Sequence, residues 1–399
     1  MDTFDPKPRL DLDHGKPLPF KTPNTVFNIG KTVLKSPFEF QQFGQSGAAV
    51  SEIFPEIAGC VDDLTIIRSM HHGISNHSSA CYMSHTGYST VGKPSMGAWI
   101  HYALGSDNDS LPGFVVLDCG QGPSGGAPSW GAGFLPLSNQ GTLFTKNPEP
   151  LDYIVPLEKA ASLQRSKIQA IRQLNRMGRD SVSTSGVSAY GEAFDQAVRM
   201  QGTVPELVDL KSETKTMRRL YGMDEPVSEL FGSRCLMARR LVERGVRFIE
   251  VFPPKVKADR WDQHSNLEVG HRRNAVAVDR PIAGLLKDLK ARGLLEDTIV
   301  LWGGEFGRTP NAQGSNGRDH NPYGYTVWAA GGGFRPGIQY GATDEFGYFA
   351  IDNKVHLHDL HATILHQLGL DHEKLTYRFS GRDYRLTDVG GDVVQDLLL

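Results

Sequence analysis

Trp261-Asp262-Gln263-His264 sets a carboxylate and an imidazole two residues apart, a spacing that turns both side chains to one side of an extended chain. Further on, Gly303-Gly304-Glu305-Phe306-Gly307-Arg308-Thr309-Pro310 puts a carboxylate among glycines that let a ligand approach the backbone. A third motif, Gly317-Arg318-Asp319-His320-Asn321-Pro322, again joins acid to imidazole. Mixed carboxylate and imidazole donors suit zinc, manganese or iron better than calcium or magnesium, and a catalytic metal keeps one position open for water or substrate. Asp262, His264, Glu305 and His320 are therefore the expected ligands of a divalent metal. Taken singly, each motif reads as a helix cap, an ion pair or a packed histidine; the three together read as a site. Arg308 and Arg318 stand close to these ligands, and each offers a fork that fits a tetrahedral anion, with a salt bridge to Asp319 or Glu305 as the competing use.

Other motifs say less. Met70-His71-His72-Gly73-Ile74-Ser75-Asn76-His77-Ser78-Ser79-Ala80-Cys81 gathers histidines and hydroxyls that could supply a further ligand, or a nucleophile with its base. His356, His358, His361 and His366 are interleaved with Leu357, Leu360, Ile364, Leu365 and Leu368, which makes that stretch an amphipathic helix and its histidines surface or packing residues. Gly122-Pro123-Ser124-Gly125-Gly126 has the letters of a nucleophile elbow but is followed by coil rather than helix. Gly331-Gly332-Gly333 lacks the Lys-Ser/Thr of a phosphate-binding loop.

The elements that must position these residues alternate. Residues 1–45 read as extended coil, 46–57 as a short helix, Leu64–Arg68 and Phe114–Leu117 as strands, and 119–150 as a loop-rich segment. Residues 150–245 are expected to be mainly helical and to end at Gly245. Arg247–Phe252 is then a strand, 265–292 a long amphipathic helix closed by Gly293, and Thr298–Trp302 and Tyr325–Ala330 are further strands. That order predicts an α/β fold with a mainly parallel sheet, whose ligands lie beyond the carboxyl ends of its strands.

With 399 residues, 39% hydrophobic and 22% charged, the chain has material for one large α/β domain or two average ones and is too apolar for disorder. A net charge of −3 and a pI near 6.5 give no basic footprint, so nucleic acid is not an expected partner. Cys60, Cys81, Cys119 and Cys235 form no C-x-x-C pair. No apolar run has the length of a membrane span, and the first eight residues lack the basic and apolar regions of an export signal.

Together, the segments DTFDPKP (2–8), SNHSSACYMSHTG (75–87), WDQH (261–264), GGEFGRTP (303–310) and GRDHNP (317–322) resemble a bacterial domain-of-unknown-function family within the alkaline phosphatase and sulfatase superfamily. The resemblance spans nearly the whole chain. It implies a single domain over 1–399, a three-layer sandwich around a mainly parallel sheet, with Asp262, His264, Glu305 and His320 at the places of the superfamily's metal ligands. Phe306 stands where the superfamily has a second histidine, and His77 where it has the nucleophilic serine or threonine. None of the cysteines begins the C-x-P-x-R motif of formylglycine sulfatases. The implied function is metal-dependent hydrolysis of a sulfate or phosphate ester, with His77 and Arg308 as catalytic residues and Arg318 as an anion binder. The alternative is a catalytically degenerate metal- or glycan-binding protein of the same fold. The implied partner is a small anionic ester or a sulfated glycan. Family members carry an apolar strand ahead of DTFDPKP and often an export signal, which implies a missing first strand here, a periplasmic or exported location, and a candidate metal ligand in Asp2.

Overall fold

A computed structural model describes residues 1–23, 32–120, 122–147, 150–181, 185–255 and 260–399, and the side chains of these apart from 178–190 and 192. Part of the expected N-terminal coil (24–31), of the loop-rich segment (121 and 148–149) and of the helical segment (182–184) lies outside the described residues. The chain opens with α1 (Pro8–Leu12), begun by a proline whose missing N–H costs nothing at that position. An antiparallel hairpin follows, β1 (Phe40–Phe43) with β2 (Ala48–Ser51), then the single turn α2 (Pro55–Ala58). Residues 46–57 thus hold β2, a turn and the start of α2 in place of the single helix expected from sequence. Ala48 and Val50 are buried by cross-strand pairing with Phe43 and Gln41, which local propensity does not report.

Next come β3 (Leu64–His71), α3 (His77–Thr86), α4 (Met96–Leu104), β4 (Phe114–Leu117) and β5 (Thr142–Phe144). β5 lies inside the segment read as coil, because three residues are too few to show a period. The helical segment holds α5 (Ala161–Ser181), α6 (Ser185–Val208), α7 (Lys215–Leu220) and α8 (Glu229–Val242). Gly245 turns the chain at φ 74°, a left-handed angle open to glycine, and β6 (Phe248–Val251) and the 25-residue α9 (Leu267–Ala291) follow. Then come β7 (Val300–Trp302), β8 (Gly307–Gln313), β9 (Gly317–Asn321), β10 (Tyr325–Ala330) and β11 (Ile338–Tyr340). The small pair β12 (Ala342–Thr343) and β13 (Ala350–Asp352), β14 (Val355–His356), α10 (Leu357–Gln367), and the hairpin β15 (Tyr377–Phe379) with β16 (Arg382–Tyr384) complete the chain. No helix among the described residues is long and apolar enough to cross a membrane.

The fold is mixed α/β. One sheet, β5-β4-β6, is wholly parallel. The five-stranded sheet is not: its path is β11-β3-β10-β7 with β14 also beside β3, and β10 runs antiparallel to both β3 and β7. The mainly parallel sheet expected from sequence is therefore broken by β10. The cause is the connection: β7 reaches β10 through the β8–β9 hairpin and not through a crossover helix, so β10 returns in the opposite direction.

Alternation along β3 and β10 divides the core. Leu64, Ile66, Trp328 and Ala330 join a cluster with Val278, Ile282, Leu286 and Leu289 of α9. Ile67, Met70, Val327 and Ala329 join a second cluster with Leu357, Leu360 and Ile364 of α10. Helices thereby pack on both faces of the sheet.

His356 caps α10, its Nδ1 accepting from His358 N at 3.1 Å while Asp359 accepts from His356 N at 2.8 Å, a reciprocal box. His361 is 2% exposed and its Nε2 lies 2.9 Å from the Ser84 carbonyl. Burial, followed by repulsion from neighbouring histidines, pushes His361 down to about 3 and His356 to about 4, from an ordinary 6.5. Both are neutral in the fold, so the unfolded chain binds protons that the folded one refuses. Their stabilisation is complete above pH 6.5 and is lost as pH falls toward those lowered values. Thermal unfolding followed at intervals from pH 7 to pH 4 should show the midpoint falling steeply below about 6.5; a flat profile across that window would contradict neutral burial of this pair.

Candidate metal centre

The β8–β9 hairpin is the platform of the site. Arg308 stands opposite His320 and Gln313 opposite Gly317, with a register shift between Arg308 and Ala312. Against it lies the loop that follows β6, held by Arg318 N donating to the Gln263 carbonyl at 3.0 Å and Leu267 N to the Asn316 carbonyl at 3.0 Å. Asn266 N donates to Asn316 Oδ1, also at 3.0 Å. The approach leaves no room for a side chain at 317, where a Cβ would come within 2.0 Å of the His264 carbonyl oxygen. Trp261, stacked on Phe54 at 5.8 Å and edge-on to His271 at 5.2 Å, fixes the loop's other end to the core. GRDHNP falls between the strands expected at Thr298–Trp302 and Tyr325–Ala330, and its first five residues are β9, every one of them buried. The strand is polar on both faces, so no apolar alternation marks it.

Four side chains converge there. His77 from the first turn of α3, Asp262 and His264 from the loop, and His320 from β9 each offer one donor atom, and these atoms all lie within 4.8 Å of one another. Nε2 of His264 is 2.9 Å and Nε2 of His320 is 3.2 Å from Asp262 Oδ1, and the two nitrogens are 3.0 Å apart. His77 Nε2 approaches Asp262 Oδ2 at 3.1 Å but makes no aligned hydrogen bond. The other nitrogen of every ring faces an oxygen acceptor: His320 Nδ1 the Ser75 carbonyl at 2.6 Å, His77 Nδ1 the Glu305 carboxylate at 2.5 Å, and His264 Nδ1 the Gln313 side-chain oxygen. Placing the ring proton on Nδ1 in each case leaves three Nε2 lone pairs directed at one point beside a carboxylate. Donors about 2.0–2.2 Å from a tetrahedral zinc lie roughly 3.4 Å apart, so little adjustment fits this set to a metal ion.

The charges agree with the geometry. Burial opposes ionisation of Asp262, but His320, His77 and the Arg308 guanidinium hold its carboxyl far below the usual carboxylate range. Burial would lower His77; the carboxylates of Asp262 and Glu305 outweigh it and, with no metal present, raise the imidazole to about 9. Glu305 is likewise held low, burial being outweighed by His77. Arg308 Nη2 sits 2.7 Å from Asp262 Oδ1 while Nη1 is buried without a hydrogen-bond partner. Phe306 packs on the rings of His320 at 4.5 Å and His77 at 4.9 Å, an apolar wall where a further histidine would have been a donor.

Not every residue singled out from sequence lies in the cluster. Glu305 stands one step outside it, bonded to His77. Arg318 and Asp2 are paired with each other: the guanidinium, fully buried, donates to Asp2 at 2.7 and 3.0 Å and to the carbonyls of Thr309 and Leu34 at 3.0 and 3.1 Å. Burial raises the Asp2 carboxyl, but Arg318 holds it down at about 2. Both groups are spent on structure. Gln313 and the Ser75 carbonyl, which orient two of the histidines, have no sequence signal: one is an unremarkable amide, the other a backbone atom.

Fold and centre together define a mixed α/β protein with a three-histidine, one-aspartate candidate metal site. The chain belongs to the family described as Protein of unknown function (DUF1501), whose model matches residues 1–398. No curated protein matches the chain.

His264→Ala and His320→Ala should each remove most zinc uptake, measured by elemental analysis after reconstitution, whereas exposed His366→Ala should leave it unchanged. Equal loss in all three would dissolve the assignment. Gly317→Ala should also weaken uptake, by displacing the backbone of His264.

Proposed function

We propose that this chain is a metal-dependent hydrolase of sulfate or phosphate esters with a three-layer fold of the alkaline phosphatase and sulfatase kind. The observation that carries the reading is the convergence of three Nε2 atoms and the Asp262 carboxylate, each ring oriented through its Nδ1, beside an arginine with a free arm. The covering of both faces of the five-stranded sheet by α9 and α10 supports the fold assignment.

A divalent ion held there would supply Lewis-acid polarisation of an ester oxygen and activation of water. The chain's own residues do the rest. Glu305 keeps the His77 proton on Nδ1 and so keeps Nε2 facing inward. Arg308 anchors Asp262 with one nitrogen and offers Nη1 to an oxygen of the bound anion. The N-terminus of α3, which begins at His77, adds the positive end of a helix dipole on the same side. Substrates of this centre are small anionic esters or sulfated glycans.

A second reading, a glycan- or anion-binding protein without turnover, is favoured by one feature: among the described residues no hydroxyl nucleophile stands in the cluster. Ser78 Oγ, next in sequence to His77, donates instead to the Ser124 carbonyl at 3.2 Å.

Elemental analysis of purified protein, followed by a panel of aryl sulfates and aryl phosphates, separates the readings. Hydrolysis predicts bound transition metal and turnover that disappears in Asp262→Asn. Glu305→Gln should fold normally yet lose roughly 10–100-fold in metal affinity. Stoichiometric metal with no turnover on any ester selects the binding reading, and protein that takes up no metal overturns both.

A further inference from the structure

The carboxyl ends of the parallel sheet border a second feature. A cavity of about 280 Å³ lies between α8, the segment after β5 and the turn after α6, and four of its lining residues are cations: Lys146, Lys211, Arg218 and Arg234. Asp209 is the one acidic residue among the described residues lining it, and its carboxylate accepts from Lys211 N at 3.1 Å. None of the four cations lies within salt-bridge distance of a carboxylate among the described residues. Arg234 is the most telling, at 5% exposure. Its Nη2 donates to the Thr145 carbonyl at 2.8 Å, while Nε has no hydrogen-bond partner. Burial pulls its pKa below the usual value, outweighing the opposing pull of Cys119 and of the Asp118 carboxylate. A buried cation with no carboxylate in salt-bridge contact is costly unless an anion comes closer, and the surrounding lysines and Arg218 raise the local potential further.

We propose that this cavity is an oxyanion subsite, separate from the metal centre, that takes a sulfate or phosphate group. Arg234 supplies the buried donor, and Lys146, Lys211 and Arg218 close around the anion from the solvent side. This assignment goes beyond the proposed hydrolase function and does not rest on it, though the two places are joined by one loop. After β4 the chain passes Gly120, where a Cβ would come within 2.7 Å of Lys146 Cδ. It then passes Gly122, whose carbonyl accepts from Arg260 Nη1 at 3.4 Å, and Ser124, whose carbonyl accepts from Ser78 on α3. A free inorganic anion and a second anionic group on a larger substrate would present the same chemistry to these cations.

Inorganic sulfate and inorganic phosphate, titrated calorimetrically into protein as purified, test the subsite. Saturable binding is expected, weakened at least about tenfold in the Lys146→Ala/Arg218→Ala double variant and retained in Asp262→Asn. Both replaced residues lie at the mouth of the cavity, so the fold should survive; circular dichroism of the double variant verifies it. Arg234→Lys provides a second variant that keeps the charge and removes the fork, and it too should bind more weakly. Tighter binding of a disulfated than of a monosulfated disaccharide, lost in the double variant, assigns the subsite to substrate. Equal binding of the two sugars, with the response to inorganic sulfate intact, assigns it to the free ion. No saturable binding, or binding unaltered by both variants, or binding abolished by Asp262→Asn, would overturn the proposal.

Discussion

The docking of the loop after β6 onto the β8–β9 hairpin is the contact on which the candidate centre depends. Asp262 and His264 come from one side of that contact, Arg308 and His320 from the other, and Gln313 orients a histidine across it. Its main-chain bonds include the donation from Arg318 N to the Gln263 carbonyl and that from Leu267 N to the Asn316 carbonyl, with a direct backbone approach at Gly317. Main-chain contacts tolerate little displacement, which suits a centre whose donors must agree to a few tenths of an ångström. The hairpin also explains the sheet, since its replacement of a crossover helix is what turns β10 antiparallel.

Beneath the hairpin, Arg318 and Asp2 form a buried ion pair that does not reach the centre but supports it. Truncating either partner would leave a charge inside the protein without compensation, a loss of about 3–5 kcal/mol where such pairs have been broken. The guanidinium also binds the Thr309 and Leu34 carbonyls, so one side chain ties β8, β9 and the N-terminal segment together. An arginine that looks like an anion binder in sequence is here a bolt.

How much of this was legible beforehand varies with the length over which the signal acts. α9 and the strands at 114–117 and 325–330 follow from periodicity that is written locally and repeated over several residues. β2 and β5 owe their existence to partners far along the chain, and β9 is polar and buried, so pattern alone misses all three. At the centre, the residue types of Asp262, His264 and His320 were conspicuous because imidazole beside carboxylate is unusual. The place of Glu305 was not, since sequence cannot distinguish a ligand from the group that orients a ligand. Arg308 and Arg318 looked equivalent in the chain; register alone separates them, putting one beside Asp262 and the other beside Asp2.

The Asp2–Arg318 pair spans 316 positions. During synthesis Asp2 emerges long before its partner and waits, an unpaired carboxylate on a tethered strand of chain, until residue 318 has left the ribosome. His77 waits likewise for the 262–264 loop and for His320. Contacts of such separation form slowly and after the local helices. The centre is thus among the last parts of the molecule to mature, and metal delivered to the nascent chain meets scattered imidazoles instead of a cage. A cluster able to hold an ion exists only at the end of folding, when the hairpin closes on its loop.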